Sequence, residues 1–190
     1  INIVDVGELA GVPLLSQQSM AAAASRKELT GYLLTLDFPC YHAVMTYADN
    51  RNLREMIYKA YTTRASSYGR NEWDNQEVII EILKLRQALA GLLGFGSYAE
   101  LSVQRKMAKS VDRVNKFLID LINVSLPAAK REFEALKEFA HRVFNINELA
   151  AWDVSYFSEK LRKQNYDISQ EELRAWFPLD KVRSGLFKIV

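Results

Sequence analysis

The chain has 190 residues, 49% of them apolar and 25% charged, with 25 Lys and Arg against 23 Asp and Glu and a net charge of +2. That is enough apolar material for a folded core and too little Pro, Gly or polar repeat for disorder, while the interspersed signs give no field that would gather phosphate backbones or anionic lipid. Nucleic-acid and membrane partners are therefore disfavoured, and the single cysteine, Cys40, excludes an internal disulfide framework and fits a reducing compartment, with the cytoplasm as the default.

Read in chain order, INIVDVGELAGVP lacks the basic start and apolar stretch of a signal peptide, and no later run reaches the roughly 18 apolar residues that span a bilayer. A thin helix is expected from Leu15 to Leu29, with an alanine run at Ala21 to Ala24 and Gly31 as its stop. Residues 32–36, between Gly31 and Pro39, are the one place where a short strand competes; a lone strand cannot satisfy its edges, so its partner is expected elsewhere in a parent protein. Helices follow at about 40–48 and 50–66, then the polar turn SYGRNEW.

From Trp73 to Leu93 the apolar residues Val78, Ile82, Leu85, Leu89 and Leu93 recur at helical steps, with Asp74 and Glu77 spaced as a capping box and Gly94 as a left-handed stop. A helix at about 97–108 precedes a long one from Ser110 to Phe144, expected to face Val114, Phe117, Leu118, Leu121, Ile122, Leu126, Phe133, Leu136, Phe139, Ala140 and Val143 inward and to kink or break near 123–127 because of Pro127. The last helices are expected at about 152–164, 170–176 and 179–190, with Ser169 and Glu172 as a second capping box and Pro178 tolerated in a first turn. The class is all-α, a multi-helix array with at most one short strand near 32–36. A sub-boundary is expected near 145–152. Both ends read as cut, because the chain starts without Met and stops at GLFKIV with no helix-ending residue.

Chemistry is sparse. A zinc centre on one helix needs two imidazoles a turn apart and a neighbouring carboxylate, as in His-Glu-x-x-His, but the chain has only His42 and His141, and neither precedes Glu. Glu134, Glu138 and His141 share a helical face and reproduce the Glu-x-x-His step of di-iron bundles; with no second histidine to complete such a site, a solvated face bordered by Arg131, Lys137 and Arg142 is the reading. Cys40 and His42 are spaced too closely to face each other on a helix, so a buried apolar cysteine is expected rather than a thiol nucleophile and its base. Gly94, Gly96 and Ala99 match a dinucleotide fingerprint only superficially, since a helix and not a strand precedes them. Glu77 and Glu81, with Lys84 nearby, read as an exposed face. Aromatics such as Trp152, Tyr156, Phe157 and Trp176 are expected in the core more often than in a groove.

Four phrases carry a resemblance: LLTLDFPCYHAVMTYADNRNLREMIYKAYTTRAS (33–66), WDNQEVIIEILKLRQALAGLLGFGSYAELS (73–102), WDVSYFSEKLRKQNYDIS (152–169) and EELRAWFPLDKVRSGLF (171–187). In this order they resemble the region of the thimet oligopeptidase family of zinc metallopeptidases that precedes the zinc-binding helix. The resemblance implies a mostly helical two-domain enzyme whose narrow channel admits short unstructured oligopeptides. It implies zinc held by the two histidines of His-Glu-x-x-His and a later glutamate, none of which has a counterpart here. Residues 1–190 would then be a helical piece upstream of the catalytic core, inactive by itself and supplying channel walls, with Tyr156 as an expected lining residue. Faces left by truncation would favour self-association. The alternative is a stand-alone helical module that binds a partner helix in an apolar groove.

Overall fold

The computed structural model describes residues 1–168, 172–173 and 176–189. Helices dominate: α1 (Leu14–Ser25), α2 (Phe38–Tyr47), α3 (Arg51–Thr62), α4 (Gln76–Leu92), α5 (Tyr98–Val103), α6 (Val111–Phe144), α7 (Val154–Tyr166) and α8 (Leu179–Ile189), with short 3-10 turns at Val6–Leu9 and Asn71–Trp73. The strands are β1 (Asn2–Ile3) and β2 (Tyr32–Leu33). The all-α class is as the sequence indicates. Of the helix expected at 170–176 only residues 172–173 and 176 are described, and its Ser169 cap lies outside the described residues. No described helix is long and apolar enough to cross a membrane. The chain divides into two compact units, residues 1–62 with 135–190, and residues 63–134.

In the first unit, β1 and β2 pair antiparallel, Asn2 opposite Leu33 and Ile3 opposite Tyr32. This corrects the expectation that the strand's partner lies elsewhere: two residues near the start of the chain suffice to occupy the edge. Gly31 makes the approach possible, at φ +91° with the place of a Cβ only 2.2 Å from the Ile3 carbonyl oxygen. It does not stop α1 as expected. That helix ends at Ser25, and the exit turn is closed by the Leu29 N–H on the Ala24 carbonyl, 3.0 Å, with Glu28 in the left-handed region.

α2 starts where Asp37 accepts from the Cys40 N–H at 3.1 Å and Pro39 occupies the first turn, and α3 starts where the Asn50 carboxamide oxygen accepts from the Leu53 N–H at 3.1 Å. Leu53 and Ile57, one turn apart, join Leu9, Leu34 and Val44 in a closed core. A second cluster joins Leu136, Phe139 and Ala140 to Tyr156 and Phe157.

In the second unit, α4 ends as its glycine foretells: the Phe95 N–H bonds the Ala90 carbonyl at 2.9 Å and the Gly94 N–H the Gly91 carbonyl at 3.1 Å, around a Gly94 φ of +80°. Its start is one residue off the expected box. Asn75 is the cap residue, and Asp74 Oδ1 accepts from the Gln76 N–H at 3.0 Å instead of from the N–H of Glu77. α5 is shorter than expected and carries its own reciprocal cap, Ser97 Oγ accepting from the Glu100 N–H at 3.2 Å while Glu100 accepts from the Gly96 N–H at 3.0 Å.

α6 runs unbroken through Pro127. One ladder bond is lost there, and at 100° per residue Pro127 falls opposite Leu118 and Ser125, on the polar side that holds the Lys116–Asp120 pair. The expected inward face of α6 is the larger correction. Only Leu136, Phe139 and Ala140 are buried, whereas Phe117, Leu118, Leu121, Ile122 and Leu126 are all exposed, as are Phe133 and Val143. α4 is similar: of its apolar residues, Ala90 alone is buried.

Candidate functional site

The strongest concentration of charge and burial lies where α3 meets the start of α7, within the first unit. Asp153 precedes Val154 and is fully buried, as is the Arg54 side chain at 2% exposure. Arg54 Nη2 donates to Asp153 Oδ1 at 2.8 Å, Arg51 Nη2 to Oδ2 at 2.6 Å, and the Ala150 N–H also donates to Oδ2 at 3.1 Å. The rest of the Arg54 fork is satisfied by the Ala48 carbonyl at 2.7 Å and the Trp152 carbonyl at 3.2 Å. Such saturation is what a buried ion pair needs to offset its desolvation. Burial pushes the Asp153 carboxyl upward, but the hydrogen bonds from Arg51 and Arg54 outweigh it and hold the group below the ordinary carboxylate range. The same contact raises Arg51.

Tyr156 belongs to this cluster. Its ring lies under the Arg54 guanidinium, 4.1 Å from it, and its hydroxyl donates to Asp49 Oδ1 at 2.7 Å, an atom that Lys160 Nζ also reaches at 3.2 Å. Burial first, and then Asp49, drive the phenol far above its usual range, so it is a fixed donor at any working pH. Tyr156 is 6% exposed, whereas the Asp49 and Lys160 side chains are 46% and 37% exposed. The cluster ties α3 to α7 and offers solvent one carboxylate, Asp49, and two cations, the Lys160 ammonium and the Arg51 guanidinium.

The other residues singled out are dispersed. Cys40 lines a cleft of about 310 Å³ with Met20, Arg26, Thr35 and Asp37, and burial raises its thiol against the opposing contact with Thr35, so it is a neutral sulfhydryl. His42 lines a different cleft, beside Glu159 and Arg162, with its ring 5.6 Å from Phe38. Gly94 and Gly96 make the helix stop and turn. Among the described residues no three His, Cys, Asp or Glu side chains converge, Glu134, Glu138 and His141 included. No described ligand set therefore fits a zinc ion.

Sequence reasoning missed Arg51, Arg54, Asp49 and Asp153. One signal was available: Arg54 sits between Leu53 and Ile57 on the buried stripe of α3, and a cation on an apolar stripe calls for a buried anion. Which anion, some 99 residues away, it could not say.

The chain also resembles known proteins. The profile of peptidase family M3 matches residues 44–190. Oligopeptidase A of Escherichia coli (strain K12) is 48% identical over 190 residues, covering 99% of this chain and 28% of that protein. Oligopeptidase A of Haemophilus influenzae is 45% identical with the same coverage, and the probable cytosolic oligopeptidase A of Arabidopsis thaliana is 41% identical over 97% of this chain and 27% of its own length. The chain thus spans little more than a quarter of the relatives it matches. A match across this much of the sequence is membership: the chain belongs to peptidase family M3.

Proposed function

We propose that residues 1–190 form a metal-free, wall-building part of a zinc-dependent oligopeptidase that hydrolyses short unstructured peptides in the cytoplasm. The observation that carries this reading is family membership over residues 44–190, with relatives described as oligopeptidase A of which this chain matches little more than a quarter. The chemistry the metal supplies, activation of a water for attack on a peptide carbonyl, belongs to residues outside this chain. What this chain supplies is position. The Asp153 clasp fixes α7 against α3, and Tyr156 enters the wall through the exposed groups it orients, Asp49 and Lys160, rather than through its own covered ring. A carboxylate beside an ammonium suits the polar ends and backbone of a short peptide better than an apolar segment.

A quenched fluorescent peptide tests the reading. The chain alone with added zinc should give no cleavage, and the full-length parent should cleave it in a chelator-sensitive way. Chelator-sensitive turnover by residues 1–190 alone would overturn the assignment.

A further inference from the structure

The second unit leaves its best apolar stripes uncovered. On α4 and its C-cap residue Leu93, Val78, Ile82, Leu85, Leu89 and Leu93 lie within an 80° arc at 100° per residue, and each is 41–60% exposed. Lys84 falls on the opposite side. On α6, Leu118, Leu121 and Ile122 form a similar arc, 47–54% exposed, across the helix from the Lys116–Asp120 pair. α6 has the amphipathic pattern of a core-facing helix, while α4 is apolar over a wider surface that takes in Ile79, Ile80 and Leu83; neither has a core against its stripe.

The amount of surface points the same way. The chain exposes 14238 Å². Two independent folded units of 118 and 72 residues would together expose about 11,000 Å² on the usual scaling of surface with mass, so about 3,000 Å² remains in excess over the whole chain, the stripes of α4 and α6 and the exposed apolar residues of α8 among its sources. A standard interface between separate proteins takes about 800 Å² from each partner, and only permanent interfaces approach the larger figure. Nearly three-quarters of the length of the family relatives lies outside the stretch this chain matches. That remainder is long enough to cover such a surface.

We infer that the apolar stripes of α4 and of residues 111–134 of α6 are the docking face for the remainder of the parent peptidase chain, forming a permanent intramolecular interface. This rests on the reading of the chain as part of a larger peptidase and adds where the two parts meet. Charged neighbours on the far side of both helices stay in water.

Thiol labelling of the full-length parent tests it, with mass spectrometry reading each modified peptide. Ile82→Cys and Leu118→Cys should label at least about 100-fold more slowly in the parent than in residues 1–190 alone, with Lys84→Cys labelling alike in both, since burial protects a thiol until local opening exposes it. Equal labelling of all three in the parent overturns the inference. Protection that vanishes on dilution of the parent also overturns it, because it identifies a second copy as the occupant. Hydroxyl-radical footprinting of Leu85 and Phe117 in the unsubstituted parent gives the same comparison without relying on variants that fold. Chelator-sensitive peptide turnover, measured on the same preparations, separates the outcomes: turnover with unprotected stripes sinks the docking face alone, and its absence sinks the peptidase reading.

Discussion

Residues 1–62 with 135–190 and residues 63–134 have similar apolar patterns but opposite fates for them. In the first unit Leu53 and Ile57 of α3 vanish into a core closed by β1, α1 and α2, and even an arginine on that stripe finds its counter-ion. In the second, the stripe of α6 is comparably one-sided and that of α4 broader, and both have almost nothing against them. The contrast teaches that helical periodicity reports which face is meant to be covered and says nothing about whether the cover lies in the same chain.

The sharpest way to break this contrast is at the clasp. Asp153→Ala leaves Arg54 buried without its anion and should cost about 3–5 kcal/mol in urea unfolding followed by circular dichroism; a loss comparable to a surface substitution would show that the pair contributes little. Because the folded Asp153 carboxyl lies below its unfolded value, its contribution is complete above the unfolded pKa near 4 and is lost as pH falls through the folded one. Stability attributable to the clasp should therefore be flat from about pH 5 to 8 and decline below about pH 4, and the decline should be smaller in Asp153→Ala.

Ile57→Ala, at a position with no exposure, should cost about 2–5 kcal/mol in the same assay, as a cavity in a closed core does. Gly31→Ala comes next. It places a methyl group in a left-handed conformation and against the Ile3 carbonyl, so about 1–3 kcal/mol should be lost together with the β1–β2 pairing, read as faster amide exchange at Leu34. The smallest effect sharpens the comparison most. Leu118→Ala in residues 1–190 should stay within about 0.5 kcal/mol of the unsubstituted chain, whereas the same change in the full-length parent should cost several times more. Equal effects in both would erase the distinction between the two units.

What could be read in the sequence follows the range of the forces involved. The glycine stop of α4 is local, set by residues within a turn, and stands where the pattern puts it, whereas the equally local Asp37 and Ser97 caps were not singled out in the sequence. The β1–β2 pairing was not legible, because a two-residue strand carries no periodicity and its partner is 30 residues away. Pro127 was expected to kink or break α6, yet the 34-residue helix is continuous there, with one bond removed on the polar side. Asp153 was invisible as an anchor, since a single Asp before a helix looks like any cap until Arg54 and Arg51 arrive from α3. The sequence holds two histidines, neither followed by Glu. The cover for α4 and α6 could not be read, because it depends on chain that pairs with these residues only in three dimensions.

Zinc titration of residues 1–190 by calorimetry, beside the full-length parent, tests the central claim most directly. The account predicts no stoichiometric binding to the chain and one chelator-removable zinc per parent molecule. A tight one-to-one zinc site on residues 1–190 would contradict it.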